Sequence, residues 1–166
     1  MAIILIGGGS RSGKSRQALQ LARQHGRRLG FIATAQALDD EMRERILVHR
    51  QERGPDFTTI EEPLALASAI KRYSADFDAL VVDCLTLWLS NIATLDVEPE
   101  TAKLLEALLA SPSQVILVTN EVGCGIVPDN PMARRFRDDA GRLNQLAAEA
   151  ASEVYWMVFG CALRVK

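Results

Sequence analysis

Residues Gly8 to Ser15 read Gly-Gly-Ser-Arg-Ser-Gly-Lys-Ser, directly behind Ala2-Ile-Ile-Leu-Ile6 and ahead of Arg16-Gln-Ala-Leu-Gln-Leu-Ala-Arg23. The first flank is apolar throughout and reads as a short buried strand; the second has helical periodicity. Strand, then Gly-x-x-x-x-Gly-Lys-Ser, then helix is the setting of a phosphate-binding P-loop. The glycines let the backbone of Gly8, Gly9, Ser10, Arg11, Ser12 and Gly13 curl until its N–H groups converge on phosphate oxygens. The helix that follows adds partial positive charge at its N-terminus. Lys14 then reaches the β/γ-phosphates, and Ser15 holds the Mg²⁺ ion that bridges them. A chain with this run is expected to bind a nucleoside triphosphate.

The rest of the chain reads as alternating strands and helices. Strands are expected at 28–34, 57–61, 79–83, 114–119 and 154–159. Helices are expected from Asp39-Asp40 through 53, stopped by Gly54-Pro55, and at 64–74, 85–93, 100–110 and 132–151, with a Gly/Pro/Asn loop at 120–131. Alternation of this kind means an α/β fold on a mostly parallel sheet. A length of 166 residues suits one domain. The net charge of −2 gives no footprint for nucleic acid, and no apolar stretch approaches membrane-spanning length. Cys84, Cys124 and Cys161 form no Cys-x-x-Cys pair. They are expected to be buried free thiols in a reducing cytoplasm.

Ligands of open α/β sheets bind at the carboxyl ends of the strands. That rule selects the P-loop, Thr34 with its neighbours Ala33 and Ala35, Asp83-Cys84, and Thr119-Asn120-Glu121. Asp83 ends an apolar run, the second signature of P-loop proteins, and is expected to place the metal shell opposite Ser15. Of the two histidines, His25 sits in a polar, basic stretch and reads as a solvated helix end. His49 falls on one helix face with Met42, Ile46 and Arg53, where a plain amphipathic helix would carry another apolar residue. Arg45 and Arg53 stand one turn away on either side, an arrangement that favours neutral imidazole and attracts a triphosphate. A surface histidine in an ion-pair-rich helix fits the same pattern.

Several blocks occur together in order: the P-loop, Ile32-Ala-Thr34, Leu38-Asp-Asp-Glu-Met42 with Arg45-Ile46 and His49-Arg50, and Asp83-Cys84. They are followed by Val118-Thr-Asn-Glu-Val-Gly123 with Gly125-Ile-Val-Pro128, and by Ala133-Arg-Arg-Phe-Arg-Asp138 with Ala140-Gly-Arg-Leu-Asn144. This set resembles the bifunctional adenosylcobinamide kinase/adenosylcobinamide-phosphate guanylyltransferase family of cobalamin biosynthesis. The resemblance runs over nearly the whole chain. It implies a single P-loop NTPase domain over residues 1–166, with a RecA-like, mostly parallel sheet flanked by helices.

The resemblance also implies two reactions. ATP or GTP phosphorylates the aminopropanol hydroxyl of adenosylcobinamide. GTP then guanylylates a histidine, and GMP passes to adenosylcobinamide phosphate, giving adenosylcobinamide-GDP and pyrophosphate. The family's guanylylated histidine sits in an Arg-Ile-x-x-His pattern, here Arg45-Ile-Leu-Val-His49. Residues Arg50, Gln51, Glu52 and Arg53 are expected to touch the nucleotide, and Glu61 or Asp83 to accept hydrogen bonds from guanine. Family members assemble as trimers, with sites near subunit contacts. Two rivals share the P-loop. A regulatory GTPase needs Asn/Thr-Lys-x-Asp after a late strand, where this chain has Thr119-Asn-Glu-Val. A kinase for another small metabolite would leave His49 without a chemical role.

Overall fold

The computed structural model describes residues 2–166, the side chain of Arg45 excepted. Seven strands form one sheet: β1 (Ile3–Gly8), β2 (Leu29–Ala33), β3 (Phe57–Glu61), β4 (Ala79–Asp83), β5 (Gln114–Val118), β6 (Glu153–Val158) and β7 (Cys161–Arg164). Their order is β3-β2-β4-β5-β1-β6-β7. All neighbouring pairs are parallel except β6 with β7, which form an antiparallel hairpin. The helices are α1 (Lys14–His25), α2 (Asp40–Arg53), α3 (Leu66–Tyr73), α4 (Leu85–Asn91), α5 (Val97–Leu109) and α6 (Pro131–Ala150), with a 3₁₀ turn at Ser74–Asp76.

Central strands of such a sheet are covered on both faces, so they are apolar at every position. In β1, β4 and β5 alternate side chains go to opposite cores. Ile3, Leu5, Leu80, Val82, Val115 and Leu117 pack with Leu66, Ile70, Trp88, Leu104 and Leu143 from α3 to α6. Ile4, Ile6, Val81, Ile116 and Val118 pack with Ala18, Leu19 and Ala22 of α1. Helix α2 belongs to neither core; Arg53 is its one buried residue among those described.

Local chemistry sets several boundaries. Asp39 caps α2 by accepting the Met42 N–H at 2.7 Å, and Gly54 ends it at φ 75°, donating to Gln51 O. Helix α5 starts three positions before the expected 100, because Pro99 falls in its first turn, where no intrahelical N–H is needed. Strand β7 was not expected from the sequence. It forms because Phe159 (φ 51°) and Gly160 (φ 82°) make a tight left-handed turn that folds the chain back along β6. The cysteine expectation is corrected: all three thiols are free, but only Cys84 is buried, while Cys124 lies in an open loop and Cys161 on the edge strand. No helix among the described residues is long and apolar enough to cross a membrane.

Candidate functional site

Strand β1 ends at Gly8, whose φ of 147° and packing leave no room for a side chain: a Cβ there would lie 2.9 Å from Met157 O. The loop then curls to Gly13 (φ 96°), the N-cap of α1. Lys14 begins the helix, is buried, and folds back over its own loop, donating to Gly9 O and, at 3.4 Å, to Ser12 Oγ. Burial pushes its ammonium below the usual lysine range, against the pull of Asp83 and Cys84. A phosphate group arriving in the loop supplies the countercharge that loop carbonyls give only in part.

Ser15, one residue on, donates from Oγ to Asp83 Oδ2 at 2.6 Å. This contact spans 68 residues of sequence and joins the first turn of α1 to the end of β4. The Asp83 carboxyl is raised above its ordinary range by burial. The Ser15 hydrogen bond opposes that shift most, followed by the positive charges of His49, Lys14 and Arg53. The next peptide, Asp83–Cys84, is cis. Burial, and then the charge of Asp83, push the Cys84 thiol up to about 11, so it is neutral and unreactive near pH 7.

Two hard oxygen donors side by side, beside an anion-binding loop, suit Mg²⁺. That ion takes one or two protein oxygens and leaves its other positions to water and phosphates. Among the described residues no group of three His, Cys, Asp or Glu side chains gathers at one place.

On the other side of β4, the ends of β2 and β3 meet α2 around a pocket of about 230 Å³. Ala33, Ala35, Ile46, Arg50, Arg53 and Glu61 contribute to its walls. Arg50 and Glu61 form an ion pair across it. Arg53 lies with its guanidinium 4.0 Å above the Phe31 ring, and its Nε and Nη1 atoms are buried without a hydrogen-bond partner. Burial lowers its pKa, the neighbouring Arg50 charge lowers it further, and Asp83 opposes both.

His49 is exposed on α2, with Nδ1 3.3 Å from Glu52 Oε2. Of the two arginines expected to flank His49, only Arg53 is described in full. Arg53 turns to Phe31, because the end of α2 is where the helix meets the sheet, and the Arg45 side chain lies outside the described residues. Gln51 is exposed. Thr34 is fully buried; its Oγ1 donates to Cys84 O and accepts the Cys84 N–H, both at 2.8 Å. Its side chain therefore braces the Asp83–Cys84 turn, and its neighbours Ala33 and Ala35 face the pocket. Ser10 and Arg11 are exposed on the phosphate loop.

Two residues of this end of the sheet carried no sequence signal. Asn91 Nδ2 donates to Thr34 O (2.8 Å) and Pro63 O (3.0 Å), tying α4 to the pocket rim. Thr86 Oγ1 accepts the Asn120 N–H at 2.8 Å. Thr119 gives its one hydroxyl hydrogen to Asn144 Oδ1 at 2.7 Å, so Thr86 is the donor in the 3.3 Å Thr86–Thr119 contact.

A family model described as cobinamide kinase / cobinamide phosphate guanyltransferase matches residues 4–165. The chain belongs to this family. It is 45% identical to the bifunctional adenosylcobalamin biosynthesis protein CobP of Pseudomonas aeruginosa, over 98% of this chain and 96% of that one. It is 40% identical to the bifunctional adenosylcobalamin biosynthesis protein CobU of Salmonella typhimurium, over 99% of both. Among solved structures, the RadB recombinase matches with TM-score 0.56 at 16% identity, over 93% of this chain and 73% of that one. An ATPase of a type III secretion system matches with TM-score 0.56 at 13% identity, over 95% of this chain and 51% of that one. These likenesses show the fold alone: a single α/β domain with a mostly parallel sheet flanked by helices, the class expected from the sequence.

Proposed function

We propose that this chain carries both activities of its family: phosphorylation of adenosylcobinamide by ATP or GTP, and transfer of GMP from GTP to the resulting phosphate by way of His49. The observation that carries the reading is that one helix, α2, supplies both the exposed His49, with Glu52 at its Nδ1, and the arginines Arg50 and Arg53 of the pocket beside it.

In the guanylyl step His49 Nε2 bonds to the α-phosphorus of GTP, and the bond to the α,β-bridging oxygen breaks, releasing pyrophosphate. Glu52 at Nδ1 orients the ring and leaves Nε2 free. The phosphate oxygen of adenosylcobinamide phosphate then displaces His49 from the α-phosphorus, giving adenosylcobinamide-GDP. Dividing one transfer into two displacements is the usual gain of covalent catalysis. Lys14 and the loop N–H groups hold the departing negative charge in place. Ser15 and Asp83 are the residues that would hold Mg²⁺, which when bound neutralises charge on the phosphates. Glu61, on the pocket wall, is the carboxylate for guanine N1–H and N2–H, and Asp83, committed to Ser15, serves the metal side.

The family resemblance further implies a homotrimer acting in the cytoplasm. The exposed Val48 of α2, with Leu47 beside it at the pocket rim, supports a subunit contact there; light scattering coupled to size exclusion tests it. The central test incubates the protein with Mg²⁺ and GTP labelled at the α- or the γ-phosphate. An acid-labile, base-stable adduct from the α-label alone, absent in His49→Ala, is expected. Normal GMP transfer by His49→Ala refutes the covalent route, and γ-transfer without any adduct points to a simple small-molecule kinase.

A further inference from the structure

The loop from 119 to 130 takes no part in the steps above, yet topology brings its first residues to the middle of the site. Strand β5 lies between β4, which ends in Asp83, and β1, which runs into the phosphate loop. Val118 is in register with both Asp83 and Ile6. The chain leaving β5 therefore emerges between the Ser15–Asp83 pair and the phosphate loop. It is fixed there by main-chain bonds: Thr119 N–H donates to Ile6 O at 3.0 Å, and Glu121 N–H donates to Gly8 O at 3.1 Å. The Thr86, Thr119 and Asn144 network holds the intervening residue from the other side.

Most neighbouring acids at this end of the sheet are already engaged. Asp83 accepts from Ser15, and Glu61 is paired with Arg50. Glu52 faces His49, and Glu62 Oε1 caps the N–H groups of Leu64 and Ala65. Glu121 is half-buried and forms no ion pair among the described residues. Its Oε1 accepts the Gly123 N–H, which steadies the carboxylate and leaves Oε2 uncommitted.

We propose that Glu121 is the general base of the phosphoryl-transfer step, an inference that rests on the kinase reading above. Its Oε2 takes the proton of the acceptor's hydroxyl as that oxygen bonds to the γ-phosphorus. The bond from γ-phosphorus to the β,γ-bridging oxygen breaks, and its electron pair leaves with the nucleoside diphosphate. The products are a phosphate monoester, the diphosphate and a proton that Glu121 returns to water. The His49 route needs no such base, because imidazole attacks without losing a hydroxyl proton, so Glu121 belongs to one activity and His49 to the other.

Glu121→Gln tests this, because it keeps an oxygen for the Gly123 N–H while removing the basicity. Phosphorylation of cobinamide by γ-labelled ATP is followed across pH, alongside the α-label adduct on His49 and the melting temperature. For Glu121→Gln, kcat is expected to fall by about 10²- to 10⁴-fold, the usual share of a general base. KM should change little and the acid limb of the pH profile should disappear, with part of the rate restored in Glu121→Asp. The α-label adduct should form in nearly normal yield. A Glu121→Gln enzyme within a few-fold of normal kcat, with its pH profile intact, overturns the assignment. So does a parallel loss of phosphorylation, adduct and melting temperature, which marks a structural role. If the unaltered chain moves no γ-label to cobinamide, the kinase reading itself falls and takes the base with it.

Discussion

Replacing Arg53 by methionine separates what this side chain does for the fold from what it does for the ligand. Arg53 is 4% exposed, and two of its guanidinium nitrogens lack hydrogen-bond partners. An orphaned buried donor costs about 1–3 kcal/mol, so Nε and Nη1 together destabilise the nucleotide-free protein by roughly 2–6 kcal/mol. Against this stands the contact with Phe31, worth up to about 2 kcal/mol when desolvated. Methionine keeps most of the stem's packing and its sulfur sits well against an aromatic ring. Removing the charge is therefore expected to leave nucleotide-free stability unchanged or to raise it by as much as about 4 kcal/mol. At about 2–4 °C per kcal/mol for a chain of this size, the melting temperature holds or climbs, by as much as about 8–16 °C at the upper end. The bound state behaves in the opposite way. One charged hydrogen bond to the nucleotide, about 1.5–3 kcal/mol, corresponds to roughly a 10- to 150-fold loss of GTP affinity. Calorimetry with and without GTP reads both quantities, since a ligand raises stability by RT ln(1 + c/Kd), with c the free GTP concentration. A variant that melts well below the unaltered protein, yet binds GTP as tightly, refutes the reasoning: Arg53 would then be a structural cation.

Two further outcomes test the frame around the site. A Cβ on Gly30 would lie 2.6 Å from the Phe77 ring and 2.7 Å from Leu80. Gly30→Ala should cost about 1–3 kcal/mol through overpacking, read as a lowered thermal midpoint; melting with the unaltered protein would show that this end of β2 gives way easily. Asp78 is held down to about 2 by the Arg28 main-chain N–H, the Arg28 guanidinium and the Arg27 N–H. Because the folded pKa is depressed from 3.8, the stability it confers is complete above that value and is lost as pH falls toward 2. Urea midpoints should therefore drop through this window in the unaltered protein and more shallowly in Asp78→Asn; parallel curves would place the acid sensitivity elsewhere.

How much of this was legible in the sequence depends on how local each cause is. The P-loop, the Asp39 cap and the Gly54 stop involve residues within a few positions of one another, and the structure places them as read. The pairing of Ser15 with Asp83 was legible across 68 residues because Asp83 stands at the carboxyl end of β4 and Ser15 just past the loop that leaves the carboxyl end of β1, where ligands gather. The direction of individual side chains was not. Arg53 shares a helical face with His49, yet packing against β2 sends it to Phe31. Thr34 stands out only by its place at a strand end, whereas its hydroxyl both donates to and accepts from the backbone of Cys84, 50 residues away, a link no local pattern announces. Strand β7 is exposed along its whole length, so it lacks the apolar run that announces a buried strand. Its one signal was the glycine after an apolar stretch.

The two sides of the site are held by forces of different kind, and this bears on how one chain can serve two transfers. Lys14, Ser15 and Asp83 are positioned by strand register and by side chains buried on both faces of β1, β4 and β5. Shifting them requires disturbing the hydrophobic core, the dominant favourable term in the fold. His49 and Arg50 ride on α2, which contributes to neither core. That helix is fastened by the Asp39 cap, the Arg23 bond to Arg53 O, the Arg50–Glu61 pair and the contact of Arg53 with Phe31. Exposed ion pairs contribute about 0–1 kcal/mol each and weaken with salt. The phosphate floor is thus rigid, while the wall that carries His49 is held by a few kcal/mol of polar contacts. A bound triphosphate, with its several negative charges, acts on the same arginines and is strong enough on that scale to decide where the wall sits. On the proposed His49 route, geometry at the γ-phosphorus is built into the sheet, while geometry at the α-phosphorus depends on the nucleotide being present.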